Sequence, residues 1–172
     1  VRRMGQLIDD LLAFSRSARQ PLARQRLAPA AIARRAFEDL RGEGRQVDFV
    51  LEELPDCLAD PALLHQVFVN LLGNALKFTR TRERARVEVR ACAGGGQPVY
   101  LVRDNGVGFD PRQADRLFGV FRRAHTAQEY EGWGVGLAIA QRIVERHGGR
   151  IWAQGEVGRG ATFFFTLGAG PV

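Results

Sequence analysis

The chain has 172 residues, of which 45% are hydrophobic and 26% charged, and its formal net charge is +6. This is the composition of a globular protein long enough to bury a hydrophobic core. No run of about 18 apolar residues is present, so the sequence predicts no membrane-spanning helix. The basic residues are spread along the chain between acidic ones, which argues against the clustered basic patch of a nucleic-acid-binding protein.

An amphipathic helix is predicted within residues 1–20. Its apolar residues recur at spacings of three and four, which places them on one face of a helix, and they are Met4, Leu7, Ile8, Leu11 and Leu12. A helix this short is not stable alone in water, so we expect it to pack on a partner helix. Pro21 ends the helix, and an Arg-rich linker is predicted over residues 21–28.

The following residues, 29–172, are predicted to form one domain of mixed helices and strands. Helices are predicted over 29–40, 61–78 and 134–147, and strands over 47–52, 86–93, 99–104, 150–154 and 161–167. The second helix has Asp60 as its N-cap and Pro61 at its first position, and residues 94–96, all glycine, form a hairpin turn. Because hairpins come late in this order, we expect an α+β fold with a mixed sheet.

Neither the cysteines nor the histidines form a metal-binding pattern. Cys57 and Cys92 are far apart, and we expect both to be buried free thiols in a reducing compartment. His65 is expected on a helix surface, and no chemical role is predicted for His125. His147 is placed at a helix end, where its positive charge would suit the helix dipole.

The first chemical signal lies on the helix predicted over 61–78. Gln66, Asn70, Asn74 and Lys77 fall within about 80° of one another around its axis. Amide oxygens suit Mg²⁺ that is shared with phosphate oxygens, and a lysine ammonium suits phosphate. The alternative interpretation is an ordinary solvated face, on which Asn and Gln are common.

Two glycine-rich segments carry the second and third signals. Residues 104–109 follow a strand, and their glycines let the backbone turn tightly while Asp104 can accept a hydrogen bond from a ligand. Residues 132–137 lead into a helix, whose N-terminus attracts anions. Alone, the first segment is equally well an ordinary turn, and the second occurs in many nucleotide-binding folds.

Taken together and in this order, the segments resemble the ATP-binding domain that sensor histidine kinases share with DNA gyrase, the ninety-kilodalton heat-shock chaperone and mismatch-repair ATPases. The matching segments are residues 70–79 (NLLGNALKFT), residues 104–109 (DNGVGF), the pair Phe118 and Phe121, residues 132–137 (GWGVGL) and residues 158–163 (GRGATF). The resemblance spans residues 27–167 and is strongest to kinases of the bacterial phytochrome group.

The resemblance implies a two-layer α/β sandwich, the Bergerat ATP-binding fold, whose mixed and mostly antiparallel sheet has its helices on one face. It implies that Asn74 coordinates Mg²⁺, that Lys77 contacts a phosphate, and that Asp104 accepts a hydrogen bond from the adenine amino group in a pocket shaped by Gly106 and Gly108. The implied cofactors are ATP and Mg²⁺.

The remaining implied binding residues are Asn70, Phe118, Phe121, Gly132, Gly134, Val135, Gly136, Leu137 and Thr162. Gly134 and Gly136 would cradle the triphosphate, and residues 122–131 would form a mobile lid. Asn70 is also predicted to be catalytic, together with Asn74 and Lys77. Hydrolytic relatives have a glutamate at the position of Asn70 to activate water, whereas an amide is a poor base.

The helix within residues 1–20 resembles the C-terminal part of the second helix of the kinase dimerisation domain. The family's phosphoacceptor histidine lies on the first helix of that domain, which this chain does not include. The resemblance implies that the domain phosphorylates that histidine in a cytoplasmic homodimer, and that a response regulator receiver domain takes up the phosphoryl group. No contact with nucleic acid or membrane is expected of this segment.

One departure from the family pattern leaves an alternative open. Trp133 stands where the family usually has a small residue, so its ring either packs outward or crowds the phosphate loop. In the second case the chain would be a weakened nucleotide-binding regulatory module. A hydrolytic ATPase and a serine kinase of the anti-sigma type are further alternatives, against which Asn70 and the N-terminal helix argue.

Overall fold

Three helices and a five-stranded sheet make up the main body of the protein in a computed structural model, which describes residues 21–42, 44–119 and 135–168. The strands are β1 (Gln25–Leu27), β2 (Val47–Leu51), β3 (Cys57–Ala59), β4 (Ala85–Gly94), β5 (Gln97–Asp104), β6 (Ile151–Glu156) and β7 (Gly160–Phe165). The helices are α1 (Pro29–Leu40), α2 (Pro61–Phe78) and α3 (Gly136–Arg146), with a 3-10 helix at Pro111–Arg116. The helix predicted within residues 1–20 lies outside the described residues.

The strand order is β2-β4-β5-β7-β6, in which β2 and β4 are parallel and all other neighbours are antiparallel. The two faces of the sheet differ in burial, as β5 shows. Tyr100 and Val102 are buried in the core that the sheet shares with the helices, whereas Arg103 is exposed on the outer face. Helices on one face of a mixed sheet confirm the predicted fold class.

The helix α2 begins and ends where the sequence predicted. The side chain of Asp60 accepts hydrogen bonds from the backbone N–H groups of Ala62 and Leu63, at 3.0 and 3.2 Å, and Pro61 fills the first helical position. These contacts satisfy donors that the first turn of a helix leaves unpaired. The buried stripe of α2 consists of Leu64, Val67, Phe68, Leu71, Leu72 and Ala75.

The hairpin between β4 and β5 also follows the prediction. Gly94 pairs with Gln97, so the connecting turn has two residues, Gly95 and Gly96. Both have positive φ angles, 61° and 94°, as a tight turn matched to the twist of the strands requires. Glycine at both positions is therefore a backbone requirement of this hairpin.

A second, two-stranded sheet was not predicted from the sequence. The strand β1, which lies within the predicted linker over residues 21–28, pairs with β3 in the antiparallel sense. Three-residue strands are too short to show an alternating pattern. Arg26 reinforces the pairing through Asp56, with its Nε 3.0 Å from the carboxylate, and the N–H of Ala23 donates to Asp60 at 3.1 Å.

The two cysteines differ in environment. Cys57 is half-buried, and burial raises the pKa of its thiol to about 11. Cys92 is exposed, so the prediction that both thiols are buried is wrong for this residue. Its position in β4 alternates with the inward-facing Val87 and Val89 and therefore faces away from the helices. Both cysteines are free, as predicted.

His147 is a buried structural residue rather than a charged one at a helix end. Its side chain is only 1% exposed. Its Nδ1–H donates to the carbonyl oxygen of Ile143 at 2.8 Å, and its Nε2 accepts from the backbone N–H of Asp60 at 3.1 Å. Since Nε2 accepts, the imidazole is neutral, and burial lowers its pKa from the ordinary 6.5. The predicted charge–dipole role is wrong, because the ring instead joins the end of α3 to the start of α2.

Replacing His147 should destabilise the protein in a pH-dependent way. We expect His147→Gln to lower the free energy of unfolding by about 2–3 kcal/mol at pH 7.5, because it disturbs two buried hydrogen bonds. In the parent, the unfolded chain takes up a proton near pH 6.5 whereas the folded chain resists it, so this stability contribution is complete above pH 6.5 and is lost as the pH falls below that value. Urea unfolding at several pH values measures both effects.

The matched control is His65→Gln, since His65 is partly exposed and its Nε2 lies 3.1 Å from the exposed carboxylate of Asp39. It should change the free energy of unfolding by less than about 1 kcal/mol. The difference in stability between the parent and His147→Gln should shrink as the pH falls from 7.5 to 5.5. A difference that is constant over this range would show that the imidazole does not need to be neutral.

Candidate functional site

The polar face of α2 lies between the two other helices. His65 contacts Asp39 of α1, with its Nε2 3.1 Å from the carboxylate. On the other side, a Cβ atom built on Gly136, the first residue of α3, would lie 2.9 Å from the Oδ1 of Asn70. The helix therefore separates one flank that faces α1 from another that faces α3.

Asn70 is oriented by its own helix. Its Nδ2 donates to the carbonyl oxygen of Gln66 at 3.0 Å, and this leaves Oδ1 directed at the start of α3. A side chain at position 136 would force this oxygen to move. Asn74 follows one turn later and is half-buried. Lys77 is half-buried as well, with its Nζ 4.5 Å from the centre of the Phe78 ring.

The N-terminus of α3 has the chemistry of an anion site. Val135 occupies the N-cap position and provides no side-chain hydrogen bond. The first N–H groups of a helix have no acceptor within the helix, and together with the helix dipole they attract negative charge. Since Asn70 borders Gly136, these N–H groups lie beside the amide-bearing face of α2. Leu137, the next residue, is half-buried.

Asp104, the last residue of β5, is a buried carboxylate with 4% of its surface exposed. Its Oδ1 accepts a hydrogen bond from the N–H of Gly106 at 2.8 Å. Burial raises its pKa to about 6, although hydrogen bonds from the backbone of Gly106 and Ala161 and the charge of Arg82 act in the opposite direction. A buried carboxylate of this kind is stabilised by any ligand that donates a hydrogen bond to it.

The turn after Asp104 packs backbone against backbone on two neighbours. The N–H of Val107 donates to the carbonyl oxygen of Phe78 at the end of α2, at 3.1 Å. On its other side, the carbonyl oxygen of Val107 accepts from the N–H of Gly158 at 2.7 Å. A Cβ atom on Gly106 would lie 2.5 Å from the Phe78 oxygen. The turn is therefore held between α2 and the β6–β7 turn.

Two further glycines allow this close approach. Gly108 has a φ of 65°, and a Cβ there would lie 1.9 Å from the carbonyl oxygen of Glu156. Gly160 has a φ of 101°, and its Cβ would lie 2.0 Å from the carbonyl oxygen of Asp104. Neither φ angle nor the space available accommodates a side chain. The role of these two glycines is to let the backbone segments beside Asp104 approach one another closely.

Arg82 joins the same three segments and was missed in the sequence. Its Nη2 donates to the carbonyl oxygen of Gly106 at 2.9 Å and to that of Gly158. Its Nε is buried without a hydrogen-bond partner among the described residues. No periodicity or motif in the sequence distinguishes Arg82 from its neighbours Arg80 and Arg84, so only the fold identifies it.

The other predicted residues fall into three groups. Phe118 is buried and packs edge-on against Phe163, with ring centroids 6.4 Å apart, so it supports the core below the site. Thr162 pairs with Arg103 on the outer face of the sheet, whereas Ala161 pairs with Asp104; the register thus separates Thr162 from this group. Phe121, Gly132 and Gly134 lie outside the described residues, as do His125 and Trp133.

The described residues alone do not supply all the ligands that a magnesium ion needs. No group of three or more His, Cys, Asp or Glu side chains that could bind a metal occurs among the described residues. Mg²⁺ usually keeps several waters and binds through one or two protein oxygens together with substrate phosphates. The carboxamide of Asn74, on the flank of α2 that faces α3, fits the role of such a single protein ligand.

Residues 59–171 match the family model described as "Histidine kinase-, DNA gyrase B-, and HSP90-like ATPase". Cyanobacterial phytochrome A of Nostoc sp. is 40% identical over 172 residues, covering 99% of this chain and 22% of the relative. The methanogenesis regulatory histidine kinase FilI of Methanothrix harundinacea is 37% identical over 171 residues, covering 97% of this chain and 19% of the relative. The chain thus spans about a fifth of the length of these curated relatives.

Solved structures agree with this likeness. Full-length ShkA in complex with AMPPNP superposes with a TM-score of 0.76 at 32% identity, covering 94% of this chain and 35% of that one. The catalytic domain of the histidine kinase ThkA superposes with a TM-score of 0.67 at 23% identity, covering 84% of this chain and 94% of that one, and shows likeness of fold. In the described part of the chain, no helix has the length and apolar character needed to cross a membrane.

The charge of Arg82 should control the ionisation of Asp104. We expect Arg82→Gln to raise the pKa of Asp104 above its value of about 6, because removing a nearby cation disfavours the carboxylate. Arg82→Lys should leave the pKa nearer that of the parent, since it keeps the charge. A pH titration followed by the ¹³C resonance of the Asp104 carboxyl group measures these shifts.

The matched control is Arg103→Gln. Arg103 is the sequence neighbour of Asp104 but is exposed on the other face of the sheet. It should leave the titration of Asp104 nearly unchanged. If Arg103→Gln and Arg82→Gln shift the pKa equally, net charge rather than the placement of Arg82 is responsible.

Proposed function

This chain belongs to the family of histidine kinase-, DNA gyrase B- and HSP90-like ATPases, and from this membership we propose that it binds Mg-ATP and transfers the γ-phosphoryl group to a histidine of a dimerisation domain. The observation that supports the proposal is that the turn after a buried carboxylate, Asp104, and the helix N-terminus at Gly136 both lie against one helix, α2. An adenine acceptor at Asp104 and a phosphate site at Gly136 would then share the same supporting helix.

Asp104 is the proposed adenine-binding residue. A carboxylate that is 4% exposed gains most from a ligand that replaces its lost hydration with a hydrogen bond. The exocyclic amino group of adenine is such a donor, whereas guanine has a carbonyl at the same ring position and would leave the carboxylate unpaired. Specificity for ATP over GTP follows from this loss of a hydrogen bond to a buried charged group.

The proposed triphosphate site combines α2 and the N-terminus of α3. The N–H groups that begin at Gly136 would bind phosphate oxygens, and Lys77 would neutralise part of their charge. Asn74 would hold Mg²⁺, which when bound draws electron density from the phosphoryl oxygens. Phosphoryl transfer demands positioning and charge neutralisation more than covalent chemistry from the protein, and these residues supply both.

Transfer to a protein side chain is favoured over hydrolysis by the environment of Asn70. Its Nδ2 is already committed to the carbonyl oxygen of Gln66, and a carboxamide oxygen is a poor base for activating water. A histidine needs no such activation when it approaches as the neutral imidazole, which is itself a good nucleophile. Asn70 is therefore proposed to position the start of α3 rather than to remove a proton.

Two partners are proposed for this domain. We propose that a dimerisation domain in a homodimer provides the acceptor histidine, and that a response regulator receiver domain takes the phosphoryl group from it in two-component signalling. The helix predicted within residues 1–20 would be the end of that dimerisation domain, and residues 29–172 the catalytic domain. Cytoplasmic localisation stays a prediction.

Loss of the Asp104 charge should weaken ATP binding and change its pH dependence. We expect Asp104→Asn to bind ATP about ten- to hundredfold more weakly at pH 8, because a hydrogen bond to a charged group contributes about 1.5–3 kcal/mol. In the parent, affinity should fall as the pH drops below about 6, where the free protein protonates Asp104. Calorimetric titration with Mg-ATP across this pH range measures both effects.

Asp104→Asn also serves as the control for protonation of ATP itself. Only the pH dependence that is present in the parent and absent from the variant belongs to Asp104. GTP should bind the parent poorly at every pH. Equal affinity for ATP and GTP would exclude Asp104 as the adenine-binding residue.

Asn74→Asp should alter metal dependence and phosphotransfer while leaving the fold intact, because Asn74 is half-buried and outside the core stripe of α2.

The chain alone should bind ATP without becoming stably phosphorylated. Adding a complete dimerisation domain should give weak phosphorylation of that domain, because the two domains are no longer tethered in one chain. Radiolabelled ATP and the acid lability of the phosphate identify phosphohistidine on the added domain.

Gln66→Glu is the matched control for the added charge, since Gln66 lies two turns earlier on the same half-buried face. It should transfer phosphate with an unchanged magnesium requirement. Normal transfer by Asn74→Asp, or its loss of helical circular dichroism, would make Asn74 a structural residue. Strong labelling of this chain in the absence of the added domain would contradict the proposed acceptor.

A further inference from the structure

A groove of about 740 Å³ opens beside α2 on the flank that faces α1. Its walls come from the end of α1, the segment that follows it, the start of β2 and the C-terminal half of α2. Asn70 and the start of α3 lie on the other flank of α2, so the groove opens on a different side of this helix from the proposed triphosphate site, and Lys77 borders both. Its volume is in the range of sites for small organic ligands.

The groove has an excess of positive charge. Arg41, Arg45, Lys77 and Arg80 all line it, and the carboxylate among its described lining residues is that of Asp48. The Oδ2 of Asp48 is 2.8 Å from the Nη1 of Arg86, which already neutralises it. Within the described ranges, no carboxylate forms an ion pair with any of the three groove arginines. Among the described residues, an anion that binds these arginines would therefore displace no carboxylate from them.

Arg45 lines the groove, and two hydrogen bonds hold its guanidinium group. Its Nη1 donates to the carbonyl oxygen of Leu76 at 2.6 Å, and its Nη2 donates to the Oγ1 of Thr79 at 3.0 Å. Both acceptors are neutral. Burial and the neighbouring charge of Arg80 lower the pKa of Arg45, which places two guanidinium groups close enough to repel each other. A bound anion would relieve this repulsion.

The remaining lining is partly apolar. Phe37 is buried at the groove, and Leu40, Val47 and Leu76 are half-buried. We propose that the groove is a second ligand site, which binds a small organic phosphate between Arg41 and Arg80 and accommodates its hydrocarbon part against Phe37 and Leu40. Guanidinium groups match the geometry of phosphate oxygens, and the apolar wall favours an ester over the inorganic ion. This site does not depend on the proposed kinase reaction.

Phenyl phosphate is a suitable probe, because it combines a dianion with a small apolar body. The full chain is saturated with Mg-AMPPNP, so that the proposed ATP site is filled, and is then titrated while the amide resonances of Gly42 and Gly73 are followed by NMR. Both glycines line the groove. We expect saturable shifts at both, and weaker binding of inorganic phosphate and of benzyl alcohol than of phenyl phosphate.

Substitutions separate the groove from general electrostatic attraction. Arg41→Gln and Arg80→Gln, both at exposed positions, should each weaken phenyl phosphate about tenfold, as expected for the loss of one hydrogen bond between charged groups. Arg142→Gln removes the same charge from an exposed position on α3, across α2 from the groove, and should leave the affinity unchanged.

Three results would overturn the proposal: no saturable shift at Gly42 and Gly73, equal weakening by Arg142→Gln, or loss of binding when AMPPNP is added, since the probe would then occupy the ATP site. Equal affinity for benzyl alcohol would also overturn it, because the arginines would then contribute nothing. If the chain fails to bind AMPPNP but still shows the shifts, the proposed function is refuted and the groove site stands.

Discussion

The anchoring of α2 at both ends is the constraint on which the rest of the structure depends. At its start, Asp60 caps the helix, and the backbone N–H of the same residue donates to His147. At its end, the carbonyl oxygen of Phe78 accepts from Val107 in the turn that follows Asp104. Each anchor is a backbone or buried contact, so the start of α2 is fixed to the end of α3 and its end is fixed to the turn after Asp104. The segments proposed to bind the triphosphate and the adenine are therefore attached to the same helix.

Asp104 shows a conflict between stability and binding. Its burial disfavours the charged carboxylate, which raises its pKa to about 6, and two backbone N–H groups together with Arg82 offset only part of this effect. If neighbouring groups fully offset the cost of burying the carboxylate, it would gain little from a ligand. If nothing offset that cost, the carboxylate would be protonated at neutral pH. The glycines at positions 106, 108 and 160 contribute to this intermediate case, since they let neighbouring backbone segments pack closely around Asp104.

The sequence predicted the parts of this fold that have local causes. The bounds of α1 and α2 follow from proline and N-cap signals, and the β4–β5 turn follows from its glycines. The roles of His147 and Arg82 have non-local causes, because their partners lie 87 and 76 residues away along the chain. Likewise, the side of the sheet on which Thr162 lies depends on a register that one residue of slippage would reverse. Motif spacing pointed to the segments that are proposed to face a ligand, but it contained no information about the side chains that hold those segments together.

The excess of arginine also has a structural explanation that composition alone did not reveal. Arg45 binds the carbonyl oxygen of Leu76 near the end of α2, and Arg24 binds that of Arg146 at the end of α3, at 3.3 Å. Arg82 does the same for Gly106 and Gly158 in the turns beside Asp104. The last carbonyl groups of a helix lack partners within it and carry the negative end of its dipole. A guanidinium group can donate to several such oxygens at once, so these three arginines fasten helix ends and turns through neutral acceptors. These arginines therefore have a structural role in the fold that does not require nucleic acid.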